Sequence, residues 1–562
     1  MCIRDRYKYT RPNFEEDKKK VEDLIKRFND STTSDEQIKI MEEMDKYKKT
    51  LSTNSNLAYI RHTIDTNDEF YKEEQDFLDE YMPHFSVLDT KMYEAINNSK
   101  FKDELVKHFG QHLFDLISCQ LIFNEKAVPF KQKENQLTTK YNKLIASAQI
   151  EFDNKTLTLS QMAPYTQSKD RDERKAATRK ISEFFAEHEK EIDDIYDEMV
   201  HVRTDMAKAL GFDSYIEYQY KSLMRTDYDK NDVAKYREFV KKYVTPVYLE
   251  LRKKQSKRIG IEDMKAYDNN VMFTDGNAKP HGGKDFLVDN AKKMYSELSP
   301  ETKKFFDFMY ERELFDLESK KGKEGGGYCT TIEDYESPFI FANFNGTTHD
   351  VEVMTHEAGH AFQAYTSMDG RIFEYIWPTF EACEIHSMSM EFLTWPWMEL
   401  FFEEETNKFK FSHLDGAISF IPYGVTIDHF QHFVYENPDA TAEERKAKYH
   451  EIELMYRPNL DYDDEFLEKG TWWYRQGHIF NNPFYYIDYT LAQVCAFQFL
   501  LKSRKNREKA FKDYLEICKV GGSQSFFGIM KAGNIKNPMN DGVLEEILPQ
   551  LLEILDEIEK EL

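Results

Sequence analysis

No apolar run in the 562-residue sequence approaches the roughly 20 residues that a bilayer-spanning helix needs. The N-terminus, Met1-Cys2-Ile3-Arg4-Asp5-Arg6 and then Tyr7-Lys8-Tyr9, lacks the hydrophobic centre of a secretion signal. Residues 1–6 resemble translated adaptor sequence and are set aside as non-native. Paired cysteines are missing too. Cys2, Cys119, Cys329, Cys383, Cys495 and Cys518 are scattered, with no C-x-x-C spacing, which argues against zinc ribbons and redox pairs. Inert reduced thiols in a cytoplasmic protein are the expectation. Excess positive charge is also absent: 76 basic side chains face 102 acidic ones, for a formal charge of −26. A polyanion meets that average field with repulsion, so neither nucleic acid nor membrane is an expected partner. No fixed-period repeat is found, which disfavours a solenoid of identical units.

Hydrophobic residues make up 40% and aromatics 15%, enough for extensive cores and too much for a disordered chain. The length predicts two to four cores or one large subdivided helical body. Most of the chain reads as helix. Ser34 with Gln37 predicts a capping box, as does Thr441 with Glu444. Apolar residues recur at helical spacing through 170–210, with Gly211 as the stop. Asp541-Gly542 precedes a helical tail through Leu544, Ile547 and Leu551. The basic run 252–258 reads as a solvated helix face. Strand signals are few: one at 155–159 and a clearer one at 338–345, preceded by Gly325-Gly326-Gly327 and Tyr328-Cys329-Thr330. An N-terminal helical region over 1–200 and a chemistry-bearing region over 201–562 are expected, divided in a stretch that a continuous helix can cross.

The chemical signal is Thr355-His356-Glu357-Ala358-Gly359-His360. Four residues apart on a helix, His356 and His360 share a face and can aim their ring nitrogens at one point. Two neutral imidazoles suit Zn²⁺, and Glu357 lies beside them as a general base for metal-assisted hydrolysis. Asp350 can cap the start of that helix. A catalytic zinc needs one more protein ligand. Glu381, Glu384, His386 and Glu391 are the candidates on the following helix, and spacing alone does not choose among them.

Together with Ser337-Pro338-Phe339-Ile340-Phe341-Ala342-Asn343-Phe344-Asn345-Gly346-Thr347, these segments resemble the thimet oligopeptidase / oligoendopeptidase F family, its Pz-peptidase-like bacterial members above all. The resemblance covers nearly the whole chain. It implies a mainly α fold: a large two-lobed helical body with a deep substrate channel and a small β-sheet beside the zinc-binding helices. It implies one zinc ion on His356, His360 and Glu384, with Glu391 behind them orienting a histidine. Glu381 and His386 become surface or packing residues. His478 and Tyr489 match the family's donors to the transition state, and Tyr485 and Tyr486 are further substrate contacts. The strand carrying Phe341, Ala342 and Asn343 is expected as the edge that pairs with substrate, and Gly325 and Gly326 as a flexible wall closing over it. His349, where many relatives have a small residue, is expected to be exposed.

The implied activity is hydrolysis of internal bonds in short unfolded peptides, Glu357 taking the proton of a water that the metal activates. A dipeptidyl carboxypeptidase on a similar scaffold is the alternative, and would need a group that captures the terminal carboxylate. A catalytically silent peptide-binding helical protein is the third reading. Oligomeric state is not legible.

Overall fold

The structure, a computed structural model, describes residues 6–368 and 370–562. Apart from Arg6, the expectation about the first six residues lies outside them, as does Cys2. Helices dominate, and two small sheets complete the described residues. β1 (Ile150–Phe152) and β2 (Lys155–Leu157) form a hairpin. β3 (Phe315–Glu318), β4 (Tyr328–Ile332) and β5 (Ser337–Phe344) form a sheet in the order β3-β5-β4. β5 runs antiparallel to β4 and parallel to β3. It is therefore the interior strand, and the expected edge is a neighbour: β4, reached directly from the glycine run.

Local chemistry sets the helix ends. The first capping box falls one residue before Ser34. The Thr33 hydroxyl accepts from Glu36 N at 3.2 Å, and the Glu36 carboxylate accepts from Thr33 N. Gln37 instead turns inward and donates to Phe28 O. Thr441 with Glu444 caps as expected. The segment 170–210 is two helices, Arg171–Glu187 and Glu189–Ala209. They part at His188, whose ring nitrogen bonds Phe184 O at 2.8 Å. Gly211 takes φ +87° and lets Phe212 N donate to Ala207 O, a left-handed stop that a side chain would strain. The run 252–258 is not simply a solvated face. Arg252 is buried against Asp415, Lys254 donates to Asp556 at 2.9 Å and Arg258 to Glu559 at 2.6 Å, so three of its cations staple neighbouring helices.

Two large apolar cores result. One is built from helices between Val21 and Ile117 with Tyr375 added. The other runs through the rest of the molecule, from Tyr7 to Ile558. Within the larger core, Arg203 is sealed from solvent and donates to Glu134, to the Tyr435 hydroxyl and to the carbonyls of Ile479 and Phe480. No helix among the described residues is long and apolar enough to cross a membrane.

Candidate metal centre and active site

Two helices build the centre: the motif helix His349–Met368 and the glutamate helix Phe380–Leu393. They touch backbone to backbone at Gly359. A Cβ there would lie 2.6 Å from Ser387 Cα and 2.7 Å from His386 O, so only glycine allows this approach. Asp350 is not the helix cap. It sits inside the first turn, and its carboxylate accepts from Asn345 N and Gly346 N, both at 2.8 Å, tying the end of β5 to the helix. The crossing brings Glu384, almost fully buried, to both motif histidines. Its Oε2 lies 3.1 Å from His356 Nε2 and 3.4 Å from His360 Nε2.

Hydrogen bonds behind His356 fix where its proton sits. The Trp395 indole N–H donates to His413 Nδ1 at 2.9 Å, so His413 keeps its proton on Nε2 and gives it to Glu391 at 2.7 Å. The other Glu391 oxygen accepts from His356 Nδ1 at 2.7 Å. His356 Nε2 thus turns its lone pair towards the Glu384 carboxylate. Burial pushes Glu391 up, but His356 and His413 outweigh it and hold its carboxyl down at about 2. Two imidazole nitrogens and a carboxylate oxygen, all within 4.8 Å of one another, form an array that a cation must hold together. The donor set fits a metal ion.

Glu357 is buried beside them, and burial raises its pKa above the usual carboxylate range. A Cβ on Gly327 would stand 3.3 Å from its Oε1, so the glycine run reaches the carboxylate. Glu381 and His386 are both buried, so packing is the part of that expectation that applies. Burial pushes Glu381 up to about 7 and His386 down to about 4.

A third segment faces the centre. His478 Nε2 lies 3.0 Å from the Tyr489 hydroxyl, and Gln476 Nε2 donates to His478 Nδ1 at 2.7 Å. The Tyr423 hydroxyl in turn donates to Gln476 Oε1 at 2.7 Å, fixing the amide's orientation. His478 therefore carries its proton on Nε2, and burial lowers its pKa to about 4, which keeps it a neutral donor. Tyr485 donates to Glu384 Oε1 rather than standing free. Tyr486 packs on His478, ring centroids 5.0 Å apart, and against Tyr423. Phe484, with φ +65°, makes the turn into Tyr485. Its carbonyl and Asp488 both accept from the buried Arg225, which sets where Tyr485 and Tyr489 point.

A cavity of about 630 Å³ opens beside His478, with Gly325, Gly326, Asn343 and His349 in its wall. Asn343 donates to Glu324 O and Gly326 O, both at 2.8 Å, and so shapes the glycine run. Phe341 and Ala342 are fully buried in the interior strand, and their side chains do not reach this space. That corrects their expected place: alternate pairing with β3 and β4 uses up the strand they stand on. His349 is exposed, its side chain 61% accessible, as expected. A second cavity of about 640 Å³ is lined by Trp377, Thr379 and Phe380 and shares Asn481 and Asn482 with the first.

Sequence reasoning did not single out His413, Trp395, Gln476, Tyr423, Gly359 or Arg225. A lone His far from the motif and an ordinary Trp, Gln or Arg carry no spacing signal. Gly359, inside a helix where glycine costs stability, was the legible one.

Residues 5–123 match the peptidase M3 N-terminal domain and residues 164–548 match peptidase family M3. Pz peptidase A, solved with an inhibitor, is 48% identical, with 99% of each chain covered and a TM-score of 0.98. A candidate oligoendopeptidase F from Bacillus anthracis strain Ames is 47% identical over 99% of this chain and 98% of its own, with a TM-score of 0.93. An oligoendopeptidase F homologue from Borreliella burgdorferi is 23% identical over 470 residues, 79% of this chain and 76% of that one. With a helical fold, two histidines and a glutamate gathered on one point, and family matches along most of its length, the chain belongs to peptidase family M3 and is a metallopeptidase that hydrolyses peptides.

Proposed function

We propose that this protein is a zinc-dependent oligoendopeptidase that cuts internal bonds of short unfolded peptides. His356, His360 and Glu384 would hold one zinc ion, a choice supported by two imidazoles and one carboxylate with no thiolate among them. The bound dication supplies Lewis acidity, polarising the scissile carbonyl and acidifying water. Glu357 takes the proton of the attacking water and passes it to the departing amine nitrogen. Tyr489, oriented by His478, donates to the oxygen on which negative charge develops. Tyr485 steadies Glu384, and Glu391 steadies His356. Substrate backbone would lie along β4, with Gly325, Gly326 and Asn343 as the near wall. The five described cysteines are unbridged, which supports a cytoplasmic setting.

The observation carrying this reading is the convergence of His356, His360 and Glu384 with Glu357 one residue from the first histidine. Glu357→Gln is expected to bind zinc as the parent does, by elemental analysis, and to lose about 10²–10⁴-fold in kcat. A variant cutting a quenched peptide at the parental rate would remove Glu357 from this role.

A further inference from the structure

The larger wall of the 630 Å³ cavity carries a cation without an anion. Arg475 lines that cavity on the segment that leads to His478. Its guanidinium lies flat against aromatic rings, 3.8 Å from the Trp472 centroid and 5.3 Å from that of Phe185. Its Nε is out of solvent and unbonded, and no ion pair or protein hydrogen bond reaches the group among the described residues. Asp464, an acid that acts on it, is turned to the N–H groups of Phe466 and Leu467.

The arginines that are buried whole behave differently. Arg174, Arg203, Arg225, Arg237, Arg252 and Arg445 each contact an Asp or Glu. Removing a guanidinium from water without an anion is costly; each of those six has one, while Arg475, half-buried in the cavity wall, has neither an anion nor a carbonyl among the described residues. Stacking covers the faces of Arg475 and leaves its edge, the part that pairs with carboxylate in two parallel hydrogen bonds.

We propose that Arg475 recognises a carboxylate of the bound peptide. This rests on the peptidase reading and adds a substrate preference to it. Arg475 and His478 are three residues apart, so their Cα atoms lie at most about 11 Å from one another. The carboxylate therefore belongs within a few residues of the bond that is cut. Two groups offer that chemistry, an Asp or Glu side chain and the C-terminal carboxylate.

The test compares matched quenched peptides on the metal-loaded protein. One set carries Glu or Gln at each position around the cleaved bond, and the other has a free or amidated C-terminus. In the parent, one acid form should exceed its neutral twin by about tenfold or more in kcat/KM. That ratio should fall towards one in Arg475→Gln and lie between in Arg475→Lys, which keeps the charge without the fork. A ratio near one in the parent, or one unchanged in Arg475→Gln, overturns the proposal. Because it is a ratio within one preparation, partial misfolding does not mimic the result. The same pairs are also titrated onto Glu357→Gln protein by fluorescence anisotropy. If no peptide is cut, the peptidase reading fails, while the acid-to-neutral ratio of Kd still decides the role of Arg475.

Discussion

Two of the three proposed ligands, His356 and Glu384, owe their direction to partners that are not themselves ligands. His356 is the clearest case, because the Trp395 N–H, through His413 and Glu391, determines which of its nitrogens carries the proton. Groups in this position typically alter metal affinity by about 10–100-fold when removed. His413→Ala is accordingly expected to speed zinc release to a chelating dye by that factor, with the helical circular dichroism spectrum kept. Trp395→Phe should give a smaller change, since the imidazole remains and only its tautomer is freed. Equal release rates in parent and His413→Ala would show that His356 holds its orientation unaided. At this scale the sequence was legible where chemistry is written in spacing. His356, Glu357 and His360 follow from one helical turn. Glu384 needed the family resemblance, because Glu381 and Glu391 have equal claim by periodicity. His413 could not be read at all, since nothing local ties it to a residue on another helix.

Gly359 governs how the elements meet. Replacing it with Ala places a methyl group into the backbone of the glutamate helix at Ser387 and His386. Overpacking of this kind costs about 1–3 kcal/mol, and here the neighbour is backbone that cannot rotate away. Gly359→Ala should lower the unfolding free energy read from urea melts by that amount and weaken zinc binding, as Glu384 is displaced from the histidines. Gly416 serves as the contrast: it lies exposed in the helix Thr406–Glu436 with nothing within 4 Å of an added Cβ. Gly416→Ala should stabilise by about 0.5–1 kcal/mol. If both variants lose stability alike, close helix approach is not the cause. Elements were mostly legible: the capped helix at Thr441, the helical tail after Gly542, the stop at Gly211 and the strand near 338–345 all follow from local residue choice. The errors share a cause. The order of strands in a sheet is a long-range fact, so β5 read as an edge while β3, from a distant segment, covers its other side. The basic run at 252 likewise hides its partner, Asp415, far along the chain.

Over the whole molecule, the buried pair Arg203–Glu134 links the helix Val128–Ala146 to the segment that carries His478. Burial opposes ionisation of Glu134, but Lys131 and Arg203 prevail and hold its pKa at about 2. A carboxyl depressed on folding contributes stability that is present above its unfolded value, near 4.5, and is lost as pH falls from there through about 2. The contribution is on the order of 3 kcal/mol. Urea melts of the parent should lose stability over that acid window. Arg203→Met should be less stable at neutral pH by up to about 3–5 kcal/mol, because it leaves the buried Glu134 carboxylate with Lys131 alone, and should show a shallower acid decline. A variant with the parent's pH dependence would assign the acid loss to other carboxyls.

The cavities on the two sides of Asn481 and Asn482 are walled by residues as distant in sequence as Tyr59 and His478, or Lys48 and Pro483. Spaces of about 630 and 640 Å³ walled in this way match a short stretch of extended polypeptide and are far smaller than a folded domain. What is selected is then slack. A segment held in a stable protein must first be freed at that protein's own expense, and one already loose enters at no cost, so susceptibility becomes a property of the victim's conformational equilibrium as much as of its residues.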